Sequence, residues 1–224
     1  MPKPTKSWLL PRQPAGPAVQ KNPEFLARTA GFRCIAGVDE AGRGPWAGPV
    51  VASAVILRRA CLNVRIDDSK RLTPAQRARA FSCIVESADV GVGIIGADEI
   101  DRVNILQATH RAMEQAVADL SRAPDLVLVD GTTSPTLAMP SWPIVHGDQR
   151  SYVISCASII AKVVRDRLMA FCHELDPRYE FHRHKGYGTA RHAAILAMLG
   201  PSLFHRRSFR PVTEALALEV SAGR

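Results

Sequence analysis

The sequence predicts a single α/β domain whose sheet mixes parallel and antiparallel strands. Three strand-like segments dominate its first part, and helical and strand-like segments alternate along the rest of the 224 residues. Such alternation is typical of an α/β sheet, and the clustered opening strands imply that some neighbours run antiparallel. Neither an internal repeat nor a linker divides the chain, so one folded unit is expected over residues 32–224.

Five segments have the apolar patterns of strands. The first covers about residues 32–39 and alternates weakly. The second, Val50–Leu57, is a β-branched run typical of a strand buried on both faces. Three shorter segments follow, at residues 90–96, 126–129 and 143–146. The last two end at Asp130-Gly131 and at Gly147-Asp148.

Helices are predicted between and after these strands. Thr73-Pro74-Ala75-Gln76 combines a capping box with proline at the first helical position, which predicts a helix over residues 73–87. Apolar residues at helical spacing predict two more, over residues 104–120 and 152–175. After a basic loop at residues 178–185, helices over 189–199 and 213–220 form a helical C-terminal part.

The first 31 residues are rich in proline and basic side chains and are predicted to form a disordered arm. The arm either contacts nucleic acid or is an inert tail. It lacks the apolar centre of a signal peptide, and no segment has the roughly 18–20 apolar residues of a membrane span. Five cysteines without a C-x-x-C pair, all within apolar segments, indicate reduced thiols and a cytoplasmic location.

The formal charge of the chain is +8, with an isoelectric point of about 9.7. A strongly basic protein attracts polyanions, although charge alone does not identify the partner. No heptad pattern or large exposed apolar stripe is evident, so we expect a monomer.

Acidic side chains follow the apolar strands where a ligand would bind. Asp39, Asp130 and Asp148 each lie at the C-terminal end of a predicted strand, which is the ligand-binding edge of α/β sheets. Glu40 follows Asp39, and both can serve one site only if the strand ends there, since side chains alternate along a strand. Clustered carboxylates favour a divalent cation, and an all-oxygen set favours Mg²⁺ or Mn²⁺. Alternatively, each acid is a surface turn residue or a helix N-cap.

The sequence also offers a candidate dinucleotide-binding loop and a candidate zinc site. Gly42-x-Gly44-x-x-x-Gly48 follows a strand like a dinucleotide-binding loop, but Pro45 and Pro49 remove amide donors and a strand follows instead of a helix. A zinc site from Cys34 or Cys156 with His182 and His184 lacks the usual ligand spacing. Both interpretations are disfavoured.

The motifs together resemble ribonuclease HII over about residues 33–211. The opening signature is Gly37-Val38-Asp39-Glu40-Ala41-Gly42-Arg43-Gly44-Pro45, continued by Ala47-Gly48-Pro49-Val50. The further matches occur in the family's order: Asp68-Ser69-Lys70, Asn104-Ile105-Leu106, Leu128-Val129-Asp130-Gly131, Gly147-Asp148, Ala157-Ser158-Ile159-Ile160-Ala161-Lys162-Val163 with Arg165-Asp166, Lys185-Gly186-Tyr187-Gly188-Thr189 and His205-Arg206-x-Ser208-Phe209. The chain departs from the family pattern at Trp46, Thr132 and Ser155-Cys156.

This resemblance implies a ribonuclease H-like fold and a metal-dependent endonuclease. The implied substrates are RNA–DNA hybrids and single ribonucleotides within duplex DNA. The implied cut lies 5′ of the ribonucleotide and leaves a 3′-hydroxyl and a 5′-phosphate. The implied catalytic and metal-binding residues are Asp39, Glu40, Asp130 and Asp148, acting through two Mg²⁺ or Mn²⁺ ions.

Substrate contacts are also implied. Gly42, Arg43 and Gly44 correspond to the backbone that contacts the 2′-hydroxyl, and Tyr187 to the residue at the RNA–DNA junction. The basic candidates for the nucleic-acid backbone are Lys70, Lys162, Arg165 and Lys185. Two alternatives remain: a non-catalytic nucleic-acid-binding module, and a related nuclease such as ribonuclease HIII or a DNA nuclease. All four acids are present, which disfavours the first, and residues 1–31 are too few for the N-terminal domain of ribonuclease HIII.

Overall fold

A computed structural model describes residues 22–58 and 62–221. The strands are β1 (Ile35–Ala41), β2 (Val50–Leu57), β3 (Ala88–Ile95), β4 (Leu126–Asp130) and β5 (Ser141–Ile144). The α-helices in these ranges are α1 (Pro23–Thr29), α2 (Pro74–Ser87), α3 (Ala97–Val103), α4 (Ile105–Ala118), α5 (Gly147–Arg150), α6 (Tyr152–Leu175), α7 (Phe181–His184), α8 (Ala190–Leu199) and α9 (Arg210–Ser221). A 3₁₀ turn, Pro177–Tyr179, precedes α7.

The five strands form one mixed sheet in the order β3-β2-β1-β4-β5. The β1–β2 and β2–β3 pairs are antiparallel, and the β1–β4 and β4–β5 pairs are parallel. Strand β5 lies at the edge of the sheet. Pro143 is tolerated there because a proline lacks only the backbone N–H, and an edge strand has a neighbour on one side alone. The predicted α/β fold with mixed strand direction is confirmed.

Helices cover both faces of the sheet at close range. On one face α4 packs on β2 and β3, and a Cβ at Gly93 would lie 1.9 Å from the carbonyl oxygen of Ala112. On the other face α6 packs on β1 and β2, and a Cβ at Gly37 would lie 2.4 Å from the carbonyl carbon of Val153. Glycine in the strands therefore lets each helix backbone contact the sheet directly.

A second, smaller core joins the C-terminal helices to the loop after β1. It consists of buried apolar side chains from that loop, from α6 and from the C-terminal part: Ala47, Met169, Cys172, Tyr179, Phe181 and Ile195. Ala47 also forms an antiparallel bridge with His205. The helical C-terminal part thus supports the loop after β1.

Several element boundaries differ from the sequence-based expectations. The capping box of α2 and the bounds of α6 are as predicted. Helices α3 and α5 were not predicted, because each is short and has little apolar periodicity. The predicted basic loop at residues 178–185 instead contains α7 and part of the 3₁₀ turn, which place Tyr179 and Phe181 in the second core.

The predicted disordered arm is too long at its C-terminal end. Residues 23–29 form α1, whose Ala27 is fully buried beside Ile35 and Trp142. Glu24 Oε1 accepts hydrogen bonds from Ser151 Oγ at 3.0 Å and from the Val153 amide at 2.9 Å, so α1 caps α6. This tertiary contact was not readable from local composition. Residues 1–21 lie outside the described residues.

Among the described residues, no helix has the length and apolar character needed to cross a membrane. Cys34, Cys83, Cys156 and Cys172 carry free thiols. Cys61 lies outside the described ranges.

Candidate active site

The four predicted acids lie at one edge of the sheet. Because β1, β4 and β5 are parallel, their C-terminal ends share that edge, where Asp39 and Glu40 lie in β1 and Asp130 ends β4. Asp148 lies in α5, directly after β5. The expectation that the first strand ends at Asp39 is wrong, since β1 continues to Ala41. Glu40 nonetheless interacts electrostatically with Asp130, as Asp39 does.

Burial and nearby negative charge raise the pKa values of Asp39, Glu40 and Asp148. Burial raises the pKa of Asp39 well above its ordinary value, and the charges of Glu40 and Asp130 add to that rise. Burial also raises the pKa of Glu40, although Arg43 opposes the effect. For Asp148 the pKa is raised first by burial and then by Asp130. Negative charge is therefore concentrated in a poorly hydrated place.

Protein groups hold the carboxyl oxygens in position. Asp39 Oδ1 accepts the Glu40 amide at 2.7 Å, and a hydrogen bond from the Ser158 hydroxyl lowers the pKa of Asp39, against the effect of burial. Asp130 Oδ1 accepts the Gly147 amide at 2.6 Å. Ser158 Oγ in turn lies 3.1 Å from Ser69 Oγ. Ser158 thus holds the Asp39 carboxyl, and Ser69 contacts Ser158 in turn.

Directly after the two acids of β1 comes a tightly held loop, residues 42–49, here named the glycine loop. Arg206 is fully buried and donates from its guanidinium to the carbonyl oxygens of Gly42, Arg43, Pro45 and Gly48, at 2.6–2.9 Å. Arg165 donates to the carbonyl oxygens of Pro49 and Ala47, at 3.0 and 3.2 Å. Gly42 has φ +95°, and a Cβ there would lie 1.9 Å from Arg165 Nε, so only glycine fits.

Tyr187 lies beside this loop. This residue is 44% exposed, and the Arg165 guanidinium carbon lies 5.6 Å from the centroid of its ring. The Tyr187 carbonyl oxygen lies 2.9 Å from His192 Nδ1. Trp46, one of the departures from the family pattern, packs against Gly188, whose Cβ would lie 2.2 Å from the indole. An accessible aromatic ring is therefore fixed next to the loop that follows the acids.

The four basic candidates differ in their surroundings. Lys70 is exposed, and its charge lowers the pKa of Asp148, so it lies near the acids. Lys162 is ion-paired with Asp166 at 2.8 Å. Burial lowers the pKa of Lys185, which is also repelled by Lys162 and Arg165. The prediction of a surface contact for Arg165 is wrong, because this side chain is only 1% exposed and serves the glycine loop.

The chain also matches a known family of proteins. A family profile described as Ribonuclease HII matches residues 36–212. The chain belongs to the ribonuclease HII family. The Ribonuclease HII of Chlamydia trachomatis serovar L2 is 52% identical over 195 residues, which cover 86% of this chain and 89% of that relative.

Solved structures agree with this assignment. The ribonuclease H2 of Pyrococcus horikoshii OT3 has a TM-score of 0.69 at 25% identity, covering 83% of this chain and 98% of that one. Bst-RNase HIII in complex with Mn²⁺ has a TM-score of 0.67 at 18% identity, covering 86% and 72%, and shows the shared fold alone. The predicted ribonuclease H-like fold is confirmed.

Membership makes this ribonuclease HII chain a hydrolase, an endonuclease acting on RNA in RNA–DNA hybrids. The family depends on divalent metal, and the acids supply only oxygen donors, which suits Mg²⁺ or Mn²⁺. Within the described residues, however, no three His, Cys, Asp or Glu side chains already form a metal-holding group, and the disfavoured zinc site is not formed either. Asp130 and Glu40 instead bond to the Gly147 amide and to Arg43.

Two residues that support the site, Arg206 and Ser158, were not predicted from the sequence. Arg206 and Ser158 both fell within matched motifs, yet nothing local to either residue indicated a role. A buried arginine must find many acceptors, but the segment around Arg206 is rich in basic residues, which is typical of exposed side chains. Ser155, where the family usually has alanine, donates to the Asp148 carbonyl oxygen at 2.6 Å and so ties α6 to α5.

Proposed function

We propose that Asp39, Glu40, Asp130 and Asp148 form the catalytic centre of an endonuclease that cuts 5′ of a ribonucleotide. The cut leaves a 3′-hydroxyl and a 5′-phosphate, in long RNA–DNA hybrids and at single ribonucleotides within duplex DNA. The observation that carries the proposal is the mutual repulsion of Asp39, which is buried, and of Glu40 and Asp130, which are half-buried, on two adjacent parallel strands. Such acids are costly unless a cation or a proton neutralises them.

The four acids would hold two divalent cations, Mg²⁺ or Mn²⁺. Bound divalent cations supply Lewis acidity, which lowers the pKa of a water and stabilises an oxygen leaving group in phosphodiester hydrolysis. The protein's own contribution is to hold Asp39 through Ser158 and to hold Asp130 through the Gly147 amide. These contacts favour carboxylate orientations that are set before substrate binds.

Selectivity for ribose falls to the glycine loop and to Tyr187. The backbone of Gly42, Arg43 and Gly44 would contact the 2′-hydroxyl, the group that distinguishes RNA from DNA. Gly44 is open, with no atom within 4 Å of its Cβ position, so a sugar can approach its backbone. The exposed ring of Tyr187 would pack at the junction between the ribonucleotide and the next deoxyribonucleotide.

The nucleic-acid backbone would be bound by Lys70, Lys162 and Lys185. Lys162 and Lys185 lie close enough for mutual repulsion, which a substrate phosphate would relieve. Lys70 lies near Asp148, at the acid cluster itself. A net charge of +8 favours encounter with a polyanion. We propose a monomer that acts in the cytoplasm, in ribonucleotide excision repair.

The experiment is cleavage of a labelled RNA–DNA hybrid, with an all-DNA duplex beside it, in Mg²⁺, in Mn²⁺ and with chelator. The test variants are Asp39→Asn, Glu40→Gln, Asp130→Asn and Asp148→Asn. The control is Glu86→Gln, an exposed acid at the end of α2, away from the acid cluster. Metal-dependent cleavage of the hybrid by wild type and the control, lost in the four variants, is expected. Undiminished cleavage by any of the four would remove that acid from the proposed centre.

A further inference from the structure

The carbonyl groups of the glycine loop are almost all occupied from one side. The Arg206 side chain takes four of them, its amide takes that of Trp46 at 2.8 Å, and Arg165 takes two more. Of the eight loop residues, only Gly44 has a carbonyl outside this set. None of the ion pairs among the described residues includes Arg165 or Arg206. The side-chain hydrogen bonds of both arginines therefore all go to the loop, and Arg165 Nη1 is buried without a partner.

This occupation fixes where the amide groups of the loop point. A trans peptide unit is planar, with its carbonyl and its N–H directed to opposite sides. The described chain contains no cis peptide. Since the carbonyls of Gly42 and Arg43 both point to Arg206, the N–H groups of Arg43 and Gly44 must point away from it. Within the described residues, neither N–H has a hydrogen-bond partner.

We infer that Arg206 is a positioning residue for ribose selectivity, holding the glycine loop so that the Arg43 and Gly44 amides face the substrate. Two successive N–H groups on one side of a loop form a concavity suited to an oxygen atom. The inference rests on the proposed function, because the oxygen it names is the ribose 2′-hydroxyl or the adjoining phosphate. Arg206 itself is fully buried and does not touch the substrate.

Lysine cannot take over this task. A guanidinium presents five N–H donors in a rigid planar fork, whereas an ammonium presents three donors from one point. Arg206 bonds to carbonyls of residues as far apart as Gly42 and Gly48, using Nε, Nη1 and Nη2. With lysine there, at least one of these carbonyls loses its partner, and the peptide planes of residues 42–44 become free to rotate.

The experiment compares wild type, Arg206→Lys and Arg206→Gln, with Arg207→Lys as the control. Arg207 is the adjacent arginine, and its side chain is exposed. Two quantities are measured for each protein: kcat/KM on a DNA duplex containing one ribonucleotide, and Kd in Ca²⁺ for that duplex and for its all-DNA equivalent. The melting temperature of each variant is recorded, and assays are run well below it.

For Arg206→Lys we expect kcat/KM to fall about 10²-fold, as for the loss of one aimed hydrogen-bond donor. The Kd for the ribonucleotide duplex should rise to that for the all-DNA duplex, which should itself stay within about threefold of its wild-type value, so that the preference for the ribonucleotide duplex is lost. The control should keep both quantities. A variant that melts lower yet keeps the wild-type preference would overturn the inference, since Arg206 would then serve stability alone. If wild type itself shows no preference, the proposed function fails first.

Should neither variant fold, wild-type protein decides the matter by NMR. The Arg206 Nε–H is expected to stay protected from exchange when the ribonucleotide duplex binds in Ca²⁺, while the Arg43 and Gly44 amide signals shift. Loss of that protection on binding would show that the loop leaves Arg206, and the inference would be wrong.

Discussion

Replacing Gly37 with alanine tests whether helix α6 lies directly on the strand that carries Asp39 and Glu40. A Cβ at Gly37 would lie 2.4 Å from Val153 C, 2.5 Å from the Ile154 amide nitrogen and 2.6 Å from Val153 Cγ2. Ordinary contact begins at 3.4 Å, so strand and helix must separate by about 1.0 Å. Two of the three atoms are backbone and cannot rotate away.

The cost follows from overpacking. Inserting a methyl group into a well-packed core costs about 1–3 kcal/mol, and a backbone contact places this site at about 3 kcal/mol. Alanine also restricts the unfolded chain, which returns about 0.4–1 kcal/mol. The net loss is therefore about 2 kcal/mol, or a melting temperature lower by about 4–8 °C for a protein of this size.

The assay is thermal unfolding followed by circular dichroism, with Gly44→Ala as the matched control. A Cβ at Gly44 meets no atom within 4 Å, so its melting temperature should change by less than about 2 °C. At temperatures below its melting transition, Gly37→Ala should also be less active than wild type, because α6 carries Ser158, which donates a hydrogen bond to Asp39. A Gly37→Ala protein that melts within 2 °C of wild type would refute the direct packing of α6 on β1.

Three further predictions concern the acids, the aromatic ring and the basic residues. Burial raises the pKa of Asp39 above its ordinary 3.8, so the folded protein binds this proton more tightly than the unfolded chain does. The free energy of unfolding therefore falls as the pH rises from 3.8 through the raised pKa. Asp39→Asn should therefore melt about 2–4 °C higher than wild type at pH 7, with a smaller gain near pH 4, by calorimetry; a lower melting temperature at pH 7 would contradict this. Tyr187→Ala should lower kcat/KM on the ribonucleotide duplex about tenfold, the stacking contribution of one base, while Tyr187→Phe keeps it; equal losses would assign the role to the hydroxyl. Lys185→Ala should reduce the slope of log affinity against log salt by about 0.9, and an unchanged slope would mean that this lysine contacts no phosphate.

Much of the sheet and of the acid cluster was predictable because the signals are local. A few neighbouring residues were enough to predict strand β2 from the run Val50–Leu57, the start of α2 from the capping box at Thr73, and α6 from its apolar stripe. The acids were found because each directly follows an apolar strand. Family resemblance supplied the joint role that we propose for them, and the strand order places them at one edge of the sheet.

The support for the site was not predictable, because it depends on contacts between distant residues. Arg206 bonds to carbonyls about 160 positions earlier in the chain. Arg165 matched a basic residue expected at the surface, yet the glycine loop closes over it. Glu24 caps a helix that begins 128 positions later. Only the fold shows that these three side chains organise backbone.

The central claim is most directly tested by mapping the cut on a DNA duplex that holds one ribonucleotide. Wild-type protein and Mg²⁺ are used, and both product termini are identified by mass spectrometry. A single cut 5′ of the ribonucleotide, leaving a 3′-hydroxyl and a 5′-phosphate, is the predicted result. A cut on the 3′ side ending in a 2′,3′-cyclic phosphate would contradict the account, because the 2′-hydroxyl would then be the nucleophile instead of the group that the glycine loop recognises.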